Sequence, residues 1–181
     1  MTVSKFVVPL TTLLRAQGSR RREQIAEPMS GLVVADVAVA SDVPVSLDVW
    51  LVSAKGAITV DGDVEATWVA ECRRCLTEVR GQIGSEVHEL LRPAAAIADD
   101  SDEESYPYTG EEADLAPIAR DAMLLLLPLA PLCKPTCMGL CPNCGVDRNT
   151  TACDCQPDAR DPRWGALDAL IADQLTDSDE Q

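Results

Sequence analysis

The residues best suited to chemistry are eight cysteines, and they come as four close pairs: Cys72/Cys75, Cys133/Cys137, Cys141/Cys144 and Cys153/Cys155. A zinc ion takes four soft ligands in a tetrahedron, and one tight turn bearing two thiolates supplies half of such a set. Gly145 follows Cys144, Gly139 precedes Cys141 by two, and Pro142 stiffens the turn between them. All eight cysteines are therefore read as metal ligands, with two Zn2+ ions as the expected cofactor. Cys141/Cys144 and Cys153/Cys155 lie close enough in sequence to close one local site. Cys72/Cys75 would then join Cys133/Cys137, tying a β-hairpin to a segment far along the chain. The competing grouping puts Cys133, Cys137, Cys141 and Cys144 in one site and leaves Cys72/Cys75 to reach Cys153/Cys155.

Other cysteine chemistries fit less well. A disulfide across C-x-C is strained. A redox C-x-x-C opens a helix in a βαβ unit, whereas Cys72-Arg73-Arg74-Cys75 lies within a β pattern. An iron–sulfur cluster has compatible spacing. The single histidine, His88, falls in a strand and reads as structural. No phosphate-binding glycine loop, dinucleotide fingerprint or nucleophile–His–Asp set is present. Candidates for enzyme chemistry, a thiol oxidoreductase or a nuclease, are therefore thin on the residues alone, and no small-molecule substrate is evident.

Charge narrows the partners. The net charge is -15, unevenly spread: residues 1–98 hold 10 basic and 12 acidic side chains, and 99–114 hold eight acidic and none basic. The run 99–104 lacks the glycine and spacing of a calcium loop. Candidate contacts for RNA or another anion are Arg15, Arg20, Arg21, Arg22, Arg73 and Arg74, with 17–22 read as an exposed basic loop. No stretch reads as a signal peptide, and the most apolar segment, 123–132, is about half the ~20 residues a membrane span needs. No membrane partner and a cytoplasmic location are expected, where thiols stay reduced.

The elements that must position the cysteines are mostly strands. Apolar residues are 46% of the chain but aromatics only 3%, so the core must be aliphatic. Val33, Val37 and Val39 sit in a Val/Ala run that Asp36 interrupts; Val45, Leu47, Val49 and Leu51, then 58–69 and 79–90, alternate with period two. About four antiparallel strands joined by hairpins follow, with Cys72–Cys75 at the tip between the third and fourth. Gly62 points to a bulge, a bend or a hairpin turn. A short helix is expected near 11–15. Residues 93–112 lose periodicity and read as a flexible acidic linker, with Tyr106 and Tyr108 as anchors. Asp114 and Pro117 start a helix that is apolar nearly all round, hence buried. Asp161-Pro162 starts a final amphipathic helix bearing Trp164, Leu167, Leu170 and Ile171. The fold class is α+β: an antiparallel β-sheet or partly open barrel packed on a buried helix, with a C-terminal cysteine-rich zinc-knuckle segment. The expected organisation is a β domain over 1–92, an acidic linker over 93–113, and the helix, cysteine segment and last helix over 114–181.

The order E-C-R-R-C-L (71–76), L-P-L-A-P-L-C (127–133), G-L-C-P-N-C-G (139–145), C-D-C (153–155) and D-P-R-W-x-x-L (161–167) resembles the YceD family, the large ribosomal RNA subunit accumulation proteins. The resemblance runs over roughly residues 6–171. It implies a non-enzymatic accessory factor in large-subunit biogenesis that supports ribosomal RNA processing or accumulation. A large-subunit ribosomal protein or precursor rRNA would be its partner. A thiol-based redox or zinc-responsive regulator uses the same cysteines and stands as the alternative.

Overall fold

The computed structural model describes residues 5–97 and 105–156 of the 181-residue chain. The acidic run 99–104 and the expected last helix at 161–171 lie outside the described residues. The elements in order are β1 (Val7–Pro9), α1 (Thr11–Arg15), β2 (Arg20–Glu27), β3 (Val33–Val34), β4 (Val37–Val39), β5 (Val45–Ala54), β6 (Ala57–Glu71), β7 (Glu78–Pro93), α2 (Ala94–Ile97), β8 (Tyr106–Tyr108), β9 (Glu112–Asp114) and α3 (Ala116–Leu126). The chain divides into two compact units, residues 1–135 and 136–181.

The first unit is built on β6. One of its edges pairs with β5 from Ser46↔Glu65 to Ala54↔Ala57, and farther along with β4 from Val39↔Trp68 to Val37↔Ala70. Its other edge pairs with β7 from Ile58↔Leu91 to Glu71↔Glu78. The sheet is open and mostly antiparallel; the exception is β8, parallel to the end of β7. β1 and β9 form a separate two-stranded ladder. Alternation places Val45, Leu47, Val49 and Leu51 of β5 on the buried face, with Ile58, Val60 and Val64 of β6 beside them. Leu10, Leu13, Leu115, Ile118 and Met123 fill the same core, which is aliphatic apart from Phe6.

Three expectations change. Residues 20–22 are not a loop: they open β2, which pairs with β5 from Arg20↔Val52 to Glu27↔Val45. It begins with four consecutive charged residues, Arg20 to Glu23, and it is an edge strand, where charge blocks unwanted pairing. The side chains of Arg22 and Gln24 both donate to Asp48, and Arg20 lies 5.2 Å over the Trp50 ring. Gly62 makes neither bulge nor turn, since the register Val49↔Gly62↔Val87 runs through it. Glycine is needed because a Cβ there would meet the Asp48 carbonyl oxygen and the Val49 Cα. The third change concerns α3. Asp114 accepts from the Ala116 N–H at 3.0 Å at its start, and Ile118, Ala119 and Met123 are buried. Its other face is not: Leu125 is 87% exposed and Leu126 38%.

The stretch read as an acidic linker carries short elements where it is described, α2 at one end and β8 and β9 at the other. The Tyr106 hydroxyl donates to Asp121 of α3 at 3.0 Å.

Candidate metal centres

β6 and β7 face each other down to Glu71↔Glu78, so residues 72–77 must turn within six positions. The turn is closed by two backbone bonds. The Cys72 N–H donates to the Thr77 carbonyl (2.8 Å), and the Leu76 N–H to the Cys72 carbonyl (2.9 Å). Leu76 takes a positive φ of 60° to allow this. The Cys141–Cys144 turn repeats the arrangement position for position. The Cys141 N–H donates to the Val146 carbonyl (2.8 Å), the Gly145 N–H to the Cys141 carbonyl (2.8 Å), and Gly145 has φ 73°.

The sulfurs gather into two fours. Cys72, Cys75, Cys133 and Cys137 form one set; Cys141, Cys144, Cys153 and Cys155 form the other. Within each set all the ligand atoms lie within 4.8 Å of one another. The competing grouping of Cys133, Cys137, Cys141 and Cys144 is not the one observed. None of the eight cysteines is in a disulfide, and the Cys75 and Cys133 sulfurs stand 3.5 Å apart, well beyond the ~2.05 Å of an S–S bond.

The residues around the sulfurs set their protonation. Burial pushes the Cys72 thiol up, but the N–H groups of Cys133, Arg74 and Cys75 outweigh it and hold Cys72 at about 6. The Cys144 and Asn143 N–H groups bring Cys141 down to about 6. Cys144 and Cys141 in turn push Cys155 up to about 12, and Cys141 raises Cys153. Cys141 is thus favoured as a thiolate, while Cys153 and Cys155 are held toward the protonated form as long as that negative charge stays uncompensated. A cation among the four removes that conflict, so the donor chemistry fits a thiophilic metal ion.

The first set is largely buried, with only Cys133 exposed; in the second set only Cys141 is buried. Arg73 braces the first turn. Its N–H donates to the Pro131 carbonyl (3.0 Å), and its guanidinium reaches the Leu129 carbonyl (3.2 Å) and Asp36 (3.1 Å). The sequence did not single out Asn149, whose Nδ2 donates to the Cys137 sulfur (3.3 Å) and to Asp147 (2.7 Å). Its Oδ1 accepts from the Met138 N–H (2.9 Å). The available signal was D-x-N three residues after Cys144, a pattern that favours side chain-to-backbone turns.

The candidate anion-binding arginines do not form one patch. Arg20 to Arg22 lie in β2 beside β5 residues 50–52, which pair with 59–61 of β6. Arg73 and Arg74 follow the far end of β6, ten or more residues away, on the order of 33 Å along a strand. Arg21 pairs with Glu23 and donates to the Pro9 carbonyl; Arg15 closes α1. His88 is exposed, 3.1 Å from Asp61, which raises its pKa with help from Glu86.

Residues 60–171 match the family model of the large ribosomal RNA subunit accumulation protein YceD, which covers more than half the chain. The chain belongs to the YceD family. An uncharacterized protein of Mycobacterium tuberculosis is 34% identical to this YceD chain over 141 residues, covering 75% of it. The match spans 66% of that relative's own length, slightly under two thirds. An uncharacterized protein of Mycobacterium leprae is 29% identical over 185 residues, covering 98% of this chain and 83% of the relative. A chloroplastic large ribosomal RNA subunit accumulation protein, YCED homolog 1 of Zea mays, is 28% identical over 144 residues, 63% of this chain and 49% of the relative. No solved structure matches. Among the described residues of this YceD chain, no helix is long and apolar enough to cross a membrane.

Proposed function

We propose that this protein is a non-enzymatic, zinc-stapled accessory factor in large ribosomal subunit biogenesis, working in the cytoplasm. The observation that carries the role is family membership, with plant relatives named for large ribosomal RNA subunit accumulation. What supports zinc is the pair of four-thiol sets, each made of cysteines alone among the described residues, which is the donor set of a structural rather than a catalytic site. Each set would hold one Zn2+, and the ion would supply cross-linking and charge compensation. The chain's own contribution is the pair of turns that aim backbone N–H groups at Cys72 and Cys141.

A large-subunit ribosomal protein is the favoured partner over precursor rRNA. Acidic side chains outnumber basic ones by 30 to 15, and such a surface attracts basic proteins and repels phosphate. Depleting the protein and following large-subunit rRNA precursors tests the role. Precursors should accumulate and be cleared by the wild-type chain but not by Cys72→Ser combined with Cys141→Ser. Unchanged rRNA on depletion ends the ribosomal reading. Metal analysis of the purified protein should give two zinc ions per chain and no visible absorption; a coloured, iron-bearing protein ends the zinc reading.

A further inference from the structure

An apolar helix face without a cover calls for one. Among the described residues, the C-terminal half of α3 leaves Leu125 at 87% and Leu126 at 38% exposure. Both line a cleft of about 660 Å³ between α3 and the middle of β7, where Val87 adds an apolar wall. The rim is acidic, formed by Glu86 and Glu89 of β7 and Asp121 of α3, with His88 the lone base.

We propose that this cleft docks a basic protein segment that carries at least one large apolar side chain. The leucines would take the apolar group, and Glu86, Glu89 and Asp121 would receive Lys or Arg around it. This rests on the ribosomal reading above and places the contact, since basic segments of this kind belong to ribosomal proteins. Charge selects the occupant. A nucleic acid would bring phosphates against three carboxylates. A second copy brings another net charge of -15. The chain's own residues 161–175 carry three aspartates and one arginine, the wrong sign for this rim.

The test uses the full-length, metal-loaded chain and two fluorescent peptides of equal lysine content, one with leucines at helical spacing and one with serines in their place. Anisotropy should show the lysine–leucine peptide binding about tenfold tighter or more, the worth of burying a leucine. Leu125→Ser should erase that preference without moving the unfolding midpoint, because the side chain is already in water. Glu86→Gln with Glu89→Gln should weaken both peptides, an effect that fades in high salt. Equal binding of the two peptides, or a preference that survives Leu125→Ser, overturns the proposal. So does a wild-type dimer that Leu125→Ser dissociates, or a tenfold gain in peptide binding when residues 157–181 are removed. Any of these outcomes leaves the rRNA result untouched, so the docking site and the ribosomal role fail separately.

Discussion

The two C-x-x-C turns, 72–75 and 141–144, make the same backbone hydrogen bonds and stand in different surroundings. The first closes the longest hairpin among the described residues, and its strands face each other down to Glu71↔Glu78 through a continuous ladder above an aliphatic core. The second lies in a stretch, 138–156, whose one described buried side chain is Cys141 itself. Similar local geometry therefore depends on different energy. Strand pairing and apolar burial hold residues 71 and 78 opposite each other whatever the sulfurs bind. Among the described residues around Cys141 there is little apolar surface to bury, so metal binding would itself be the folding free energy there.

Chelation probes that difference most severely. Stripping the metal should bring the amides of Cys141, Gly145 and Arg148, which are bonded within 139–148, to the exchange rates of an unfolded chain. The amides of β5, β6 and β7 should keep their protection to within about twofold, because their ladder does not pass through the sulfurs. Cys141→Ser should reproduce the loss, while Cys75→Ser should stay confined to the hairpin tip. Hydrogen exchange read by mass spectrometry distinguishes these outcomes. Equal loss of protection in sheet and knuckle would mean that the two turns do not differ as described.

Asn149 provides a smaller perturbation. It donates to the Cys137 sulfur while its own carbonyl oxygen holds the Met138 N–H. A hydrogen bond to a charged acceptor contributes about 1.5–3 kcal/mol, so Asn149→Ala should weaken metal retention at the first set by roughly 10- to 100-fold. Release of zinc to a colorimetric chelator should then show one fast and one slow ion per chain. Two ions leaving at wild-type rates would remove Asn149 from the account.

Much of this was legible in the sequence where one physical rule dominated. Val45, Leu47, Val49 and Leu51 alternate because one face of β5 is buried, and period two reports that directly. Cys141, Cys144, Cys153 and Cys155 group as their short separation implies. The misses occurred where two rules compete. Arg20 to Arg22 of β2 read as a loop because their charges are an edge strand's protection, and composition cannot tell that from solvation. α3 reads as buried all round because Leu125 and Leu126 are apolar, although the fold covers only the Met123 side. Gly62 has no bulge to make; its role is the close approach of β5, which no single strand displays.

The finest distinction between the turns is the residue after the second cysteine. Gly145 adopts φ 73° without penalty, and a Cβ there would find no atom within 4 Å. Gly145→Leu should therefore cost only backbone strain, about 1–2 kcal/mol, read as a roughly tenfold weaker second site. Leu76 already bears that strain at φ 60°, yet it is 56% exposed, so burial offsets little of it. Leu76→Gly should relieve the strain while adding about 0.5–1 kcal/mol of unfolded-chain freedom, leaving a net gain of about 1 kcal/mol or less in a denaturant titration of the metal-loaded protein. The opposite signs at equivalent positions are the test, because a shared turn geometry predicts them and a coincidence of spacing does not. If Leu76→Gly instead destabilises, the leucine side chain contributes more to the hairpin tip than its exposure indicates, and the equivalence of the two turns ends at their hydrogen bonds.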